Sequence, residues 1–545
     1  MIYVDNDKEA SAGADPVGLD HSVSKSVGDV NLEQSHQLER GLKSRHIQFL
    51  ALGGAIGTGL FVGSGQILAT VGPAPLFMAY LAMMLVVWIV MNVLAEMTTY
   101  LPMKGISIPY FVGRFVDPSL AFATGWNYWY AYAILVAAEC TAGAIVVSYW
   151  TNAVHVAVWI ALQLLVILFL NIVAVSWFGE AEFWFASVKL ITIIGLIILG
   201  IVLFFGGGPT HEPLYFKHWD DPGAFVPYLA EGSWGRFLAF WTAFVRAGFS
   251  FITSPELIAL SAGETVAPRR NIPKASRRYV WRLAIFYGLG SLVIGILVRS
   301  DDPRLLSGSS DASASPFVIG IQRAGIPILN HLINAAILTS AWSAGNAFCF
   351  SGSRVLYSMA LSGQAPKWFA ITSKRGVPYV AVLFTVAVGA LAFLNVSNSG
   401  ATAFAWFSNI STISGFIAWI VVLVTYIRFR KAMVFHNMIE ALPFKTPLQP
   451  YATWVMLFLI SILTLTNGFQ VFVDFTASSF LAAYITIPIF LVLYLVHKAW
   501  FRTPWAIKIE DIDVITGKKE MDELAESEEE PVPKNWAQKA WFWLA

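Results

Sequence analysis

The sequence predicts an all-α polytopic membrane protein with about twelve transmembrane helices and both ends on the cytoplasmic side. Three observations predict it. The 545 residues are 57% hydrophobic and 13% charged, with a mean hydropathy of +0.64, and a soluble chain of this length needs far more charge to cover its surface. Apolar runs of about 20 residues, enough to cross a bilayer, recur along the chain. Lys and Arg gather in alternate loops, the asymmetry that sets membrane topology.

The spans lie at roughly 47–69, 75–100, 120–149, 154–176, 184–206, 236–262, 280–299, 326–360, 379–396, 402–427, 451–470 and 478–499. The run 326–360 exceeds one bilayer thickness, so it implies a tilted helix or a short surface segment ahead of it. Before the spans, residues 1–45 read as a disordered tail without an early apolar core, which predicts no cleaved signal peptide. After them, residues 501–545 form a polar tail with an acidic run, Glu526 to Glu530, and a closing WAQKAWFWLA that suits an amphipathic surface helix. Arg40, Lys43 and Arg45, then Lys104 and Arg114, fall on one side of the membrane. The same side takes Arg269, Arg270, Lys274, Arg277 and Arg278, then Lys367, Lys374 and Arg375, then Arg428, Arg430, Lys431 and Lys445. The opposite loops are poor in basic residues: the exceptions are Lys217, Arg304 and Arg323, the first two beside aspartates. The basic side is cytoplasmic. A net charge of +1 gives no bulk attraction for nucleic acid, and Cys140 and Cys349 fall inside apolar runs, as buried thiols do.

Span one reads IQFLALGGAIGTGLFVGSG, and six of its residues are glycine. Glycine costs about 1 kcal/mol against alanine inside a helix, so the cluster Gly53, Gly54, Gly57, Gly59 implies either a helix that opens near the midplane or close packing through GxxxG. Span six holds Gly248 and Pro255 within an apolar segment, which implies a second break or a simple kink. Spans one and six occupy equivalent places in two five-helix halves. Matched interruptions there point to the central site of an inverted-repeat transporter. Freed N–H groups of one half-helix favour a carboxylate, and freed carbonyls of the other favour an ammonium. A molecule carrying both is an α-amino acid.

Ionisable groups inside spans are costly unless paired or wetted. Five qualify: Glu96, Glu139, Lys189, Arg246 and Glu256. Glu96 suits a structural ion pair or snorkelling. Lys189, about a turn and a half into span five, suits snorkelling or function equally. Arg246 has as its structural reading a pairing with Glu139 or Glu256.

The stretches GLKSRHIQFLALGGAIGTGLFVGSG, AEMTTYLP, GWNYWY, Glu139 and AGETVAPRRNIPKA together resemble the fungal (yeast-type) amino-acid permeases of the amino acid–polyamine–organocation superfamily, over about 40 to 500. The resemblance implies a leucine-transporter-like fold, two inverted five-helix repeats (about 46–206 and 236–427) plus two helices (about 451–499). It implies proton-coupled amino-acid uptake across the plasma membrane, with protons and an amino acid as partners and no cofactor or metal. On the matching positions, Gly57, Thr58 and Gly59 would hold the substrate carboxylate, and the carbonyls of Phe251, Ile252 and Thr253 the ammonium. Lys189 looks like the span-five lysine that stands where sodium sits in sodium-coupled relatives. Glu139 and Glu256 match acidic residues suited to proton handling or gating. Two departures adjoin the pocket: Ser254-Pro255-Glu256 where many relatives have Gly-Thr-Glu, and Arg246. The latter suits reading an acidic or polar side chain. Asn346, in the small and polar span eight, is a further selectivity candidate. Trp126, Tyr128 and Tyr132, with Phe404, Trp406 and Phe407, are candidate lining or packing aromatics.

Competing functions have weaker support. An amino-acid sensor on the same fold would be expected to carry longer tails, and a carrier of an amine or specialised metabolite stays open. The chain has no HExxH, no histidine cluster in a span and no GxxxxGK[ST] loop, which argues against an embedded enzyme or a nucleotide-driven pump. Asn395 heads a glycosylation sequon close to the membrane.

Overall fold

Proline and glycine punctuate the helices where the sequence leads one to expect. The computed structural model describes residues 57–102, 107–173, 175–262, 267–306, 315–326, 328–526 and 535–536. Helix α1 (Gly59–Val71) ends at Gly72, whose φ of 90° is a left-side conformation that a side chain would disfavour. Then come α2 (Pro73–Tyr100), the short α3 (Ile108–Phe115) and α4 (Pro118–Ser148). Each of these three has proline in its first turn, where no donor is lost. Asp117 caps α4 by accepting from the Ser119 and Leu120 amides. Helices α5 (Val156–Val173) and α6 (Val175–Phe204) follow, then α7 (Gly232–Phe251), α8 (Ser254–Ser261) and α9 (Pro268–Leu297). After a short α10 (Pro316–Arg323) come α11 (Leu329–Leu361), α12 (Tyr379–Val396) and α13 (Gly400–Phe435). The last spans are α14 (Tyr451–Phe472) and the bent pair α15 (Ala477–Tyr484) and α16 (Thr486–Phe501), at 48° to each other.

Nine described helices are long and apolar enough to cross a membrane, ten if the bent pair is one span. Helix α1 is the described part of span one, and α11 is long enough but carries many Ser and Asn residues, so twelve crossings follow. Helix α4 packs against both α11 and α13, and all three are largely enclosed. Helices α5, α6 and α14 instead expose leucine, isoleucine, valine and phenylalanine on one face, as lipid contact requires.

Three boundaries differ from the sequence reading. Helix α6 begins at Val175, so residues 177–183 are helical and not a loop. Helix α9 begins at Pro268, so the basic stretch Arg269 to Arg282 is helical and runs straight into span seven. Span eight starts at Leu329, and nearly the whole run 326–360 is one 33-residue helix, α11, with the short α10 ahead of the run. Polar residues at a membrane-proximal end do not by themselves stop a helix, and α9 continues even through Pro273. The proposed opening at Gly53 and Gly54, the N-tail, and the closing WAQKAWFWLA beyond Trp536 lie outside the described residues.

Cys140 and Cys349 are buried free thiols. Asn395 is buried too, so in this conformation its amide offers no room for a glycan. The C-tail docks back on the basic face: Ile512 and Val514 are buried, Tyr100 donates to the Val514 carbonyl at 2.7 Å, and Arg114 donates to the Asp513 and Thr516 carbonyls.

Glu96 is a structural ion pair. Its carboxylate accepts from the Tyr426 hydroxyl at 3.0 Å and the Thr446 amide at 2.6 Å, and faces Arg430 at 3.4 Å, with no exposed surface of its own. It ties α2 to α13 and to the segment before α14. Glu96→Ala strands a guanidinium and a buried amide. We expect a stability loss of about 3 kcal/mol, read as a lower melting temperature in detergent, with the order of preferred substrates unchanged.

Candidate functional site

Span six is interrupted at the predicted residues. Helix α7 stops at Phe251. Ile252 is extended (φ −56°, ψ 150°), and Thr253 adopts a left-handed conformation with φ 63° before α8 starts. That region is unfavourable for a β-branched residue, so the surrounding packing must hold it. Local hydroxyls help: Thr253 Oγ1 donates to the Ile252 carbonyl at 2.7 Å, and Ser254 Oγ to the Phe251 carbonyl at 2.6 Å. Each carbonyl keeps a second lone pair. Below the break Glu256 sits in the first turn of α8, where a carboxylate suits the positive end of the helix, and accepts from the Tyr128 hydroxyl at 3.3 Å.

Helix α1 starts beside this break. Its regular turns begin at Thr58 after a bend at Gly57, so its first amides have no partner within the described helix. Residues Gly59–Gly63 wind as a wide π-turn, a feature common at functional sites. Two glycines set the approach. A Cβ on Gly59 would lie 2.7 Å from Ser250 Oγ and 2.8 Å from Ser250 Cα; one on Gly57 would lie 3.1 Å from Glu139 Oε1. Only a bare backbone fits between the rods at these points.

Two tyrosines that sequence reasoning missed brace the crossing. Tyr80 lies 3.0 Å from Ser250 Oγ and donates to the Gly59 carbonyl at 3.4 Å, while Tyr287 donates to the Ser250 carbonyl at 2.9 Å. Both rings lie against Phe251, at 5.6 and 4.4 Å between centroids, and 5.8 Å from each other. Nothing in the sequence marks them, because tyrosines in apolar spans are common.

A cavity of about 140 Å³ lies between the two rods, on the α7 side of the break. It is lined by Gly63 and Gln66 of α1, Arg246 and Ser250 of α7, and Asn409 and Thr412 of α13. Phe249 and Phe404 also line it, and meet edge to face at 5.4 Å. Arg246 pairs with neither Glu139 nor Glu256. It donates to Thr70 Oγ1 at 2.9 Å, and among the described residues no carboxylate forms a salt bridge with it. Asn346 does not line this cavity: it is fully buried and accepts from Asn171 Nδ2 at 2.7 Å. Of the candidate aromatics, Tyr128 and Phe404 touch the site, while Trp126 meets Trp129 and Phe122 edge to face.

On the other flank, Glu139 accepts from Thr58 Oγ1 at 3.1 Å, which links it directly to the start of α1. Lys189 is 1% exposed, which rules out snorkelling. It lies in the field of two carboxylates, Glu139 and Glu182. Glu182 is itself 1% exposed and accepts from Ser343 Oγ at 2.7 Å. Sequence reasoning overlooked it because residues 177–183 were read as a loop. The usable signal was its seven-residue spacing from Lys189, which puts both side chains on one face of a helix.

Comparisons with known proteins fit this geometry. The family model described as "Amino acid permease" matches residues 46–510. The chain is 58% identical over 519 residues to a protein of Emericella nidulans named proline-specific permease, covering 94% of each. It is 49% identical to the proline-specific permease of Saccharomyces cerevisiae over 554 residues, covering 96% of this chain and 88% of that one. Among solved structures, Mhp1, a nucleobase-cation-symport-1 family transporter in a closed conformation with bromovinylhydantoin bound, superposes with a TM-score of 0.50 at 14% identity, over 89% of this chain and 97% of that chain. That likeness shows the fold, with its two inverted five-helix repeats.

Proposed function

The chain belongs to the amino-acid permease family of fungal type, and from that premise we infer that it is a proton-coupled importer of proline in the plasma membrane, working by alternating access with both termini in the cytoplasm. Its class, an amino-acid transporter, follows from the family. The observation that carries the site reading is the break at Ile252-Thr253 facing the start of α1 across a Ser250–Gly59 contact. Amides of Gly57, Thr58 and Gly59 take the substrate carboxylate there, and the spare lone pairs on Phe251, Ile252 and Thr253 take the ammonium. Proline as substrate rests on the two relatives at 58% and 49% identity. Its ring would occupy the apolar side of the site. Glu139, Lys189 and Glu256 handle the proton, since each is buried, Glu139 is bonded to Thr58 at the start of α1 and Lys189 lies in the field of Glu139.

Radiolabelled proline uptake in a permease-deficient yeast, with and without a protonophore, tests this reading. Saturable uptake that collapses with the protonophore is expected. A protein that binds proline without moving it would instead be a sensor.

Arg246 in the cavity wall favours a second reading of the substrate, an amino acid with an acidic or polar side chain. The same panel decides between them: Arg246→Ala should change the order in which unlabelled proline, aspartate and glutamine compete with the label. An unchanged order removes Arg246 from selectivity.

A further inference from the structure

Glu182 is a buried ionisable group that the reading above does not use. It sits seven residues before Lys189 on α6, two turns or about 10 Å along one face of the helix. Both side chains are long enough to turn toward one another across that distance. One of its oxygens is held by Ser343; the other, Oε2, has no hydrogen-bond partner among the described residues. Such a group in a span is costly, and where it occurs it marks an ion or proton pathway more often than a scaffold.

The surroundings define a short chain of groups. Three consecutive residues of α11 meet two of its members and the start of α1. Ser343 bonds Glu182, Ala344 would meet a Cβ on Gly57 at 3.6 Å, and a Cβ on Gly345 would lie 3.6 Å from Glu139 Cβ. Glu182 and Glu139 therefore both meet the same turn of α11, and Lys189 lies in the field of both. The charged group facing Glu182 is Lys189, with neutral Ser343 and Asn346 from α11; those facing Lys189 are Glu182 on its own helix and Glu139 on α4. Glu139 lies at the start of α1, beside the substrate site, and Glu182 lies nearest the end of α6 that the topology puts in the cytoplasm.

We propose that Glu182 is the inner member of a proton relay, Glu139 to Lys189 to Glu182, that discharges the transported proton toward the cytoplasm. The idea rests on the proton-symport reading. A proton entering with the substrate resides on the Glu139 carboxyl. The Lys189 ammonium gives its own proton to the Glu182 carboxylate, leaving a neutral amine and a carboxylic acid, and the acid releases that proton to cytoplasmic water. The neutral amine then takes the proton from Glu139, which restores the ammonium and leaves a carboxylate. Each step moves one proton and leaves no more than one uncompensated charge within the group, which lowers the cost of crossing an apolar region. Ser343 positions Glu182 by its hydrogen bond and takes no proton.

Purified protein in liposomes, with radiolabelled proline, separates the steps. Exchange of internal for external proline at equal pH needs substrate binding and alternation but no net proton movement. Accumulation driven by an inward proton gradient needs both. Glu182→Gln should retain exchange at near wild-type rate and lose gradient-driven accumulation by at least about tenfold, the scale on which positioned proton-transfer groups act. Glu182→Asp, which keeps the acid on a shorter arm, should recover part of it. Ser343→Ala should slow accumulation and spare exchange. If Glu182→Gln accumulates like wild type, the proposal is overturned. It is also overturned if a folded Glu182→Gln protein, melting as wild type does, loses exchange and accumulation together, since that marks packing or binding. Failure of the wild-type protein itself to respond to the gradient overturns the symport reading, and the relay with it.

Discussion

Alanine at position 59 should reduce proline uptake to background while the protein still reaches the membrane and folds. The added methyl would lie 2.8 Å from Ser250 Cα, a backbone atom that cannot rotate away, and 2.7 Å from Ser250 Oγ. Overpacking of this kind costs about 1–3 kcal/mol, small against the stability of a twelve-span bundle. The cost falls on one contact, however, the crossing of α1 with α7 just before the break. To admit the methyl, the two rods must part, and the amides at 57–59 then move away from the carbonyls at 251–253. Misplacement by about 1 Å in such a site is enough to lose a hundredfold in function. Tyr80, which reaches both Ser250 and the Gly59 carbonyl, should lose its hydrogen bonds as well. Surface expression and melting temperature near wild type, with uptake absent, is the expected pair of readings. Normal uptake by Gly59→Ala would mean that the crossing is not part of the site.

Lys189→Met should uncouple transport from the proton gradient. Methionine nearly matches the volume of the lysine stem, so packing within α6 is kept. The charge is not. Lys189 lies in the field of Glu139 and Glu182, all three buried. Removing the one cation leaves two carboxylates in an apolar region, where a stranded charge costs about 3–5 kcal/mol. They take up protons instead of remaining charged, and the variant folds with its relay filled. Uptake should then become insensitive to protonophore and to external pH, with proline equilibrating and not accumulating. A second measurement separates charge from packing. Adding Glu139→Gln to Lys189→Met should recover part of the lost stability, because the stranded acid is gone, whereas independent sites would add their losses. If the two losses simply add, the lysine and the glutamate do not interact.

How much of this was legible beforehand depends on the kind of signal. The break in span six was readable because Gly248 and Pro255 are local chemistry: a proline removes a donor wherever the rest of the chain lies. The docking of α1 was half readable. Its glycines announced either an opening or close packing; the described part shows the close packing, a Gly59 that admits Ser250, and Gly53 and Gly54 lie outside the described residues. Arg246, Lys189, Glu139 and Glu256 were found because a charge in an apolar run is conspicuous. Glu182 was not, for it stands beside polar residues that resemble a loop. Nothing short of the course of α6 showed that the helix had already begun at Val175.

Partnerships were a different matter. The sequence offered Glu139 or Glu256 for Arg246, and the fold gave it Thr70. Asn346 was read as facing the cavity, yet its amide meets Asn171 of α5. Hydropathy reports how far a side chain sits from water, and nothing about its azimuth around the helix or which neighbour arrives there. By itself, then, the sequence determined the membrane class, the side on which the basic residues gather, the interruption of span six and most of the buried charges, because each depends on transfer energies and backbone chemistry within one segment. Only the tertiary structure decided which charges meet, that Tyr80 and Tyr287 hold the crossing, and that Glu182 joins Lys189, because those are contacts between residues far apart in the chain, fixed by how the helices rotate and pack.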